Sequence, residues 1–137
     1  MAMFEVGVRA GFEATHSLRG DFGPATQRHG HAYRVEAAVR GPALGDDGTL
    51  ADVGLLRRLL DEAVAPLHDR DLDTLGVFQG QNTTAEVVAH HLFEVLRAGL
   101  LRAGSAIAER VSSLRVTVWE SPEVFASYEG PLHDRRG

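Results

Sequence analysis

The chain has no cysteine and no lysine. Without cysteine, disulfides, thiolate metal ligands and a cysteine nucleophile are excluded. Without lysine, a Schiff base on the protein is excluded, and all 14 basic side chains are arginines. No apolar run approaches the ~18 residues of a membrane span, so no membrane partner is expected. The N-terminus lacks the charged-then-apolar pattern of a secretory signal, and a soluble cytoplasmic protein is the expectation. A basic stripe is missing as well, and with a net charge of −5 the chain is not expected to bind nucleic acid. Its 137 residues, 44% hydrophobic and 24% charged, suit one globular domain with one core.

What the chain does have is histidine in a pattern. His29-Gly30-His31 leads into an alternating run of Tyr33, Val35, Ala37 and Val39. Positions i and i+2 of a strand share a face, so His29 and His31 point the same way, about 6–7 Å apart along the strand. Upstream, the even positions read Phe4, Val6, Val8, Ala10, Phe12, Ala14 and His16, with Glu5, Arg9, Glu13 and Thr15 among the odd ones. That alternation is the mark of a half-buried strand, and His16 continues its apolar face. An H-x-H pair alone is more often two ordinary histidines than a metal site. If these two strands are neighbours, however, three histidines converge at one end of a sheet. Three histidines with an open position are the ligand set of a catalytic zinc.

Residues 17–28 are rich in turn formers and read as a loop bordering that site. The second strand is expected over about 31–40, closed by Gly41-Pro42. Asp52 is a plausible N-cap for a helix whose stripe is Val53, Leu56, Leu59, Leu60 and Val64, ended by Pro66. Residues 67–73 read as a solvated loop, and 74–82 continue it. Thr83-Thr84-Ala85-Glu86 fits a capping box opening a second helix that runs to about Gly99 or Gly104, with Val88, Leu92, Val95 and Leu96 as its stripe. His90 is expected to be exposed and His91 to lie near the buried edge, neither at ligand spacing.

A third strand is expected from Val111 to Glu120, with Leu114, Val116 and Val118 on one face. Glu120 falls in that apolar register, where an unpaired carboxylate is expensive. Either it curls to solvent at the strand end or it takes hydrogen bonds from a ligand. Ser121-Pro122 makes a corner before a fourth strand, Val124 to Tyr128, and the tail from 131 to 137 is expected to be disordered. The order strand, strand, helix, helix, strand, strand is α+β: an antiparallel four-stranded sheet with two helices on one face. The second face carries Trp119 and Phe125, which with free sheet edges points to a homo-oligomer.

Six motifs stand in order. They are Phe12-Glu13-Ala14-Thr15-His16, His29-Gly30-His31-Ala32-Tyr33, Asp52-Val53-Gly54-Leu55-Leu56-Arg57, Leu67-His68-Asp69-Arg70-Asp71-Leu72-Asp73, Asn82-Thr83-Thr84-Ala85-Glu86, and Glu120-Ser121-Pro122 followed by Ala126 and Tyr128. Together they resemble the 6-pyruvoyl-tetrahydropterin and 6-carboxytetrahydropterin synthases, whose patterns are F-x-A-x-H, H-G-H-x-Y, D-F-x-x-L-K, L-D-H-x-x-L-N/D, N-P-T-x-E and E-T-P with A-x-Y. The resemblance spans residues 4–130 and makes 1–130 a single domain of that kind. It implies the tunnelling fold (ββααββ), in which trimers close their sheets into a barrel and two trimers stack as a hexamer with sites at subunit contacts. It also implies Zn2+ on His16, His29 and His31, a pterin ring held by Glu120, and Thr84 and Glu86 against the substrate. The chemistry agrees: a 2-amino-4-oxo pterin edge offers two adjacent N–H donors, and one carboxylate accepts both.

The chain departs from the family where the proton moves. The synthases carry a basic cysteine in the loop before H-G-H, and here Gly23 or Ala25 stands near its place. The Asp-His pair is inverted, as His68-Asp69. The expected function is a zinc-dependent lyase or isomerase acting on dihydroneopterin triphosphate or a related polyhydroxylated small molecule. His68 would serve as acid/base, with Asp69 or Asp71 orienting it or replacing the thiol. The alternatives are a relative recruited to a non-pterin substrate in specialised biosynthesis, and a non-catalytic zinc- or pterin-binding protein.

Overall fold

The computed structural model of the chain describes residues 2–104 and 109–133. Strand β1 (Phe4–His16) and strand β2 (His29–Gly41) pair antiparallel along their whole lengths, from Phe4 opposite Gly41 to His16 opposite His29. Alternation dictates this register: Val8, Phe12, Ala14 and His16 are buried from β1, and Tyr33, Val35, Ala37 and Val39 from β2. A slip of one residue would turn every one of them to the other face. β2 begins two residues earlier than expected because His29 and Gly30 continue the ladder against His16 and Thr15.

Helix α1 (Val53–Val64) starts where Asp52 accepts a hydrogen bond from the Leu55 amide at 3.1 Å, a cap worth about 1 kcal/mol. It buries Leu56, Leu60, Ala63 and Val64 over β1. Helix α2 (Ala85–Arg102) buries Val88, Ala89, Leu92, Phe93, Leu96 and Leu100 over β4 (Ser113–Ser121) and β5 (Val124–Pro131). Two members of the expected stripes stay in solvent. Val53, the first residue of α1, is 47% exposed, and Val95, at the margin of the α2 stripe, is 39% exposed.

Among the described residues the fold is α+β with two long helices over a mainly antiparallel sheet, as expected, but the sheet has five strands, a short β3 (Arg70–Asp71) outside β1 giving the order β3-β1-β2-β4-β5. The extra strand, β3 (Arg70–Asp71), runs parallel to β1 at Ala14 and Thr15. It corrects the reading of 67–73 as a solvated loop: Leu67 and Leu72 are fully buried and pin the segment to the sheet edge. The expected loop at 74–82 likewise contains a helical turn, Gly76–Phe78, with Phe78 buried. β5 continues past Tyr128 to Pro131, and Leu132 behind it is buried; of the expected tail, residues 134–137 lie outside the described residues. On the outer face Arg9 and Glu36 pair at 3.3 Å and Arg115 and Glu5 at 2.8 Å across strands.

Candidate metal centre

The end of β1 and the start of β2 bring three imidazoles together. The ring centroids of His16 and His29 are 4.5 Å apart, those of His29 and His31 4.7 Å, and those of His16 and His31 5.1 Å. One ligand nitrogen from each lies within 4.8 Å of the others. Around a tetrahedral ion with bonds of ~2.1 Å, ligand nitrogens stand about 3.4 Å apart, so small ring rotations close the set.

The outward nitrogens are fixed by backbone. His16 Nδ1 lies 2.7 Å from the Thr83 carbonyl oxygen, and His29 Nδ1 lies 2.7 Å from that of Gln27. A carbonyl only accepts, so both Nδ1 atoms carry the proton and both Nε2 atoms keep a free lone pair. His16 is 1% exposed, and its Nε2 is buried without a hydrogen-bond partner among the described residues, as is that of His31. Buried acceptors left open are costly, and here they converge. Metal-bound histidines usually donate their second N–H to an oxygen in this way. The residues present fit a divalent metal of the zinc type.

Glu120 reaches the same place. Its Oε2 is 3.7 Å from His31 Nε2. A register shift between Trp119 and Ser121 interrupts the β4–β5 ladder at this residue. Burial pushes the His31 pKa below its usual range, partly offset by the Glu120 charge. Tyr33 lies beneath: its ring stacks on Phe12 at 4.7 Å and meets His31 edge-on at 5.2 Å. Tyr33 is 1% exposed, its hydroxyl has no hydrogen-bond partner among the described residues, and burial pushes its pKa well up, with Glu120 and Asp73 adding to the rise. It is a neutral phenol.

The sequence pattern assigns Asp73 no role and Thr83 only that of a helix cap, yet both stand behind His16. Asp73 Oδ2 accepts from the Ser17 amide at 2.8 Å and its hydroxyl at 3.1 Å, and Oδ1 accepts from the Thr83 hydroxyl at 2.7 Å. Desolvation raises the Asp73 pKa, but the Thr83 and Ser17 hydrogen bonds and the nearby His16 bring it below the ordinary carboxylate value. One sign was legible: two threonines precede α2, and only one can cap it. The cap is Thr84, which accepts from the Val87 amide at 3.2 Å, not Thr83 of the expected capping box. Glu86, exposed in the first turn, is not the partner of a Thr83 cap.

Among the described residues no hydrogen bond or ion pair joins the acid/base candidates His68, Asp69 and Asp71 to the three histidines. His68 Nδ1 accepts from the Glu13 amide at 3.1 Å, and the Asp69 amide donates to the Glu13 carbonyl at 2.7 Å. Both therefore sit on the open edge of β1, with His68 Nε2 3.4 Å from Asp69 Oδ2 and their side chains 50% and 73% exposed. Asp71 is 3.4 Å from Arg28 and accepts from the Asp73 amide. Asp69 and Asp71 line a hollow of ≈ 330 Å³ with Glu13, Thr15, Arg28 and Arg70. In the loop before His29, Gly23 has a φ of +59°, a conformation that glycine adopts more readily than most residues with a side chain.

Comparison with known proteins follows this geometry. The chain is similar in structure to the 6-pyruvoyl tetrahydropterin synthase of Caenorhabditis elegans, with a TM-score of 0.78 and 23% identity over 95% of this chain and 97% of that one. It is similar to a Plasmodium vivax 6-pyruvoyltetrahydropterin synthase in which a catalytic glutamate is replaced by alanine, with a TM-score of 0.77 and 17% identity over 96% and 99% of the two chains. An uncharacterised protein of Wolinella succinogenes gives 0.68 and 17% over 93% and 98%. No curated protein matches the sequence. At these identities the solved structures speak for the tunnelling fold alone. The family model described as 6-pyruvoyl tetrahydropterin synthase, however, matches residues 5–131, and on that match across nearly its whole length the chain belongs to the 6-pyruvoyl tetrahydropterin synthase family.

Proposed function

We propose that the protein is a zinc-dependent lyase or isomerase acting on dihydroneopterin triphosphate or a closely related polyhydroxylated pterin. The observation that carries this reading is the convergence of His16, His29 and His31, two with open buried Nε2 atoms, beside the carboxylate of Glu120. Zinc on the three histidines would supply Lewis-acid polarisation of a substrate oxygen, which acidifies the neighbouring C–H.

The chain's own residues do the rest. Glu120 accepts the two N–H donors of the pterin edge. Its contact with His31 Nε2 is an ion pair only while that nitrogen carries a proton. With His31 Nε2 unprotonated, as it would be when the three histidines hold a metal, the Glu120 carboxylate is left to the ring. Thr84 and Glu86 complete the substrate contacts. His68, paired with Asp69, is the acid/base, and Asp71 holds the segment. In the Plasmodium vivax relative the catalytic residue is a glutamate, which supports proton transfer by a carboxylate or imidazole in a chain without cysteine.

The working form is a cytoplasmic homo-oligomer, a hexamer built as a dimer of trimers, without nucleic acid or membrane partners. In support, β5 ends the sheet and β3 covers only Ala14 and Thr15 of β1. Phe4, Val124 and Phe125 are 48%, 52% and 56% exposed at those edges, as strands awaiting another copy would be. His68 and Asp69, on the β1 edge, would then act at a site completed across a subunit contact. Among the described residues no helix is long and apolar enough to cross a membrane.

The absent thiol and the inverted His68-Asp69 pair favour a second reading, a relative recruited to a non-pterin substrate in specialised biosynthesis. One experiment separates the two. Zinc-loaded protein is incubated with dihydroneopterin triphosphate and all products are weighed by mass spectrometry. A new pterin or a released side-chain fragment is expected. Unchanged substrate, with zinc bound at the three histidines, would move the assignment to another substrate or to a binding role.

A further inference from the structure

His16 differs from the other two histidines in what stands behind it. His29 has a single carbonyl, that of Gln27. His16 has both acceptors of one residue: the Thr83 carbonyl at 2.7 Å and the Thr83 hydroxyl at 3.3 Å from Nδ1. The hydroxyl proton is committed elsewhere, to Asp73 Oδ1 at 2.7 Å, so its lone pairs face the imidazole. The Asp73 carboxylate is in turn locked by Ser17, the residue that follows His16, through an amide at 2.8 Å and a hydroxyl at 3.1 Å. Thr83 and His16 are 0% and 1% exposed, so water does not compete for these bonds.

We propose that Asp73 and Thr83 are positioning residues for His16, forming a carboxylate–hydroxyl–imidazole chain that holds the ring in its Nδ1–H form and aims Nε2 into the metal centre. The inference rests on the metal-centre reading above. Each link has a physical reason. The carboxylate polarises the Thr83 O–H and makes its oxygen a better acceptor, because hydrogen bonds in series strengthen one another in a dry site. The doubly accepted Nδ1–H excludes the other tautomer, in which Nε2 would carry the proton and offer no lone pair. Orientation matters because the three rings come from two strands, and His16 is the one whose ring is fully enclosed. Asp73 also clamps the chain on both sides of the ring, at Ser17 and at Thr83. A single acidic residue thereby ties the exit of β1 to the entry of α2.

The test uses Thr83→Val, Thr83→Ser and Asp73→Asn in the full chain. Zinc affinity is measured by competition with a chelator, and the melting temperature of each metal-free variant is recorded beside it. Thr83→Val is isosteric and leaves the carbonyl to His16 in place, removing only the hydroxyl. It and Asp73→Asn should lose about 10–100-fold in zinc affinity, while Thr83→Ser, which restores the hydroxyl, should retain it. The Thr83→Val chain should still melt cooperatively, so that the loss is one of ligand positioning. Zinc affinity equal to wild type in a folded Thr83→Val protein would overturn the proposal. Should both variants fail to fold, NMR of the metal-free wild type decides: His16 in the Nδ1–H form together with a Thr83 hydroxyl proton protected from exchange supports the chain, and Nε2–H or a freely exchanging Thr83 hydroxyl refutes it. A wild type that takes up no zinc at the three histidines would instead remove the metal-centre reading, with the same NMR readout still reporting whether the chain exists.

Discussion

His16 and His29 stand directly opposite each other across β1 and β2, as Cα partners with ring centroids 4.5 Å apart. The pairing is the last rung of a ladder that starts at Phe4 and Gly41. Every buried residue along it helps fix the register, so the geometry of the three-histidine group is set by the core far from it. His31 joins from the same face, two residues further along β2 and opposite Ala14, where the small side chain leaves room for the ring.

Glu120→Gln separates the two roles open to that carboxylate. As a ring anchor, the change puts an amide N–H against pterin N–H donors and leaves donors unpaired, which costs about 1–3 kcal/mol or roughly 10–100-fold in pterin affinity. Zinc affinity should stay near wild type. Calorimetric titration with a pterin and with zinc checks both. A loss confined to zinc would show that the carboxylate 3.7 Å from His31 Nε2 is a metal ligand and not the anchor.

Tyr33→Phe should not weaken the metal-free fold. The ring stacked on Phe12 is retained, and the deleted hydroxyl is a buried donor with no partner among the described residues, whose burial costs about 1–3 kcal/mol. The melting temperature should hold or rise. If the phenol instead serves a bound ligand, substrate affinity falls while stability does not. A clear drop in the melting temperature of the metal-free protein would contradict the orphan assignment.

Acid should destabilise the metal-free protein in two stages. Burial holds His31 and His91 below their ordinary value of 6.5, with the Glu120 charge opposing it at His31 and the His90 charge adding to it at His91. The unfolded chain therefore binds more protons than the folded one as pH falls through 6.5, and stability drops until both histidines are protonated in the fold. Asp73 acts lower. Its folded pKa lies below 3.8, so its contribution is intact above that value and is lost as pH falls through the folded one. His91→Leu removes one part of the first stage, since its ring lies half-buried against Phe78 at 5.1 Å. Melting temperatures between about pH 7.5 and 5 should fall less steeply in that variant. Parallel slopes would refute the assignment.

Much of this was legible because it is periodic. The even positions of β1 carried His16 onto the core face, the H-x-H spacing carried His29 and His31 onto one side, and Glu120 declared itself by falling in the register of Val116 and Val118. Asp52 capped α1 as its place before the apolar stripe required. What was not legible depends on partners distant in sequence. Two residues cannot show an alternation, so β3 at Arg70 and Asp71 was invisible until Asp69 bonded to Glu13, far up the chain. By local pattern the Thr83–Glu86 capping box made Thr83 the expected α2 cap ahead of Thr84. Asp73 decided between them by taking the Thr83 hydroxyl, which left Thr84 to cap. The inverted His68-Asp69 pair read as a catalytic dyad in sequence, yet its position on the β1 edge is set by Glu13, with which both residues hydrogen-bond.

The most direct test of the metal centre is zinc stoichiometry in metal-stripped wild type and in His29→Ala. His29 is chosen because it is half-buried, so its loss spares the core better than that of His16. The wild type should take up one tightly held zinc per chain, and the variant should hold none at the same chelator concentration, with a melting temperature close to that of the metal-free wild type. Stoichiometric zinc retained by His29→Ala would contradict the account.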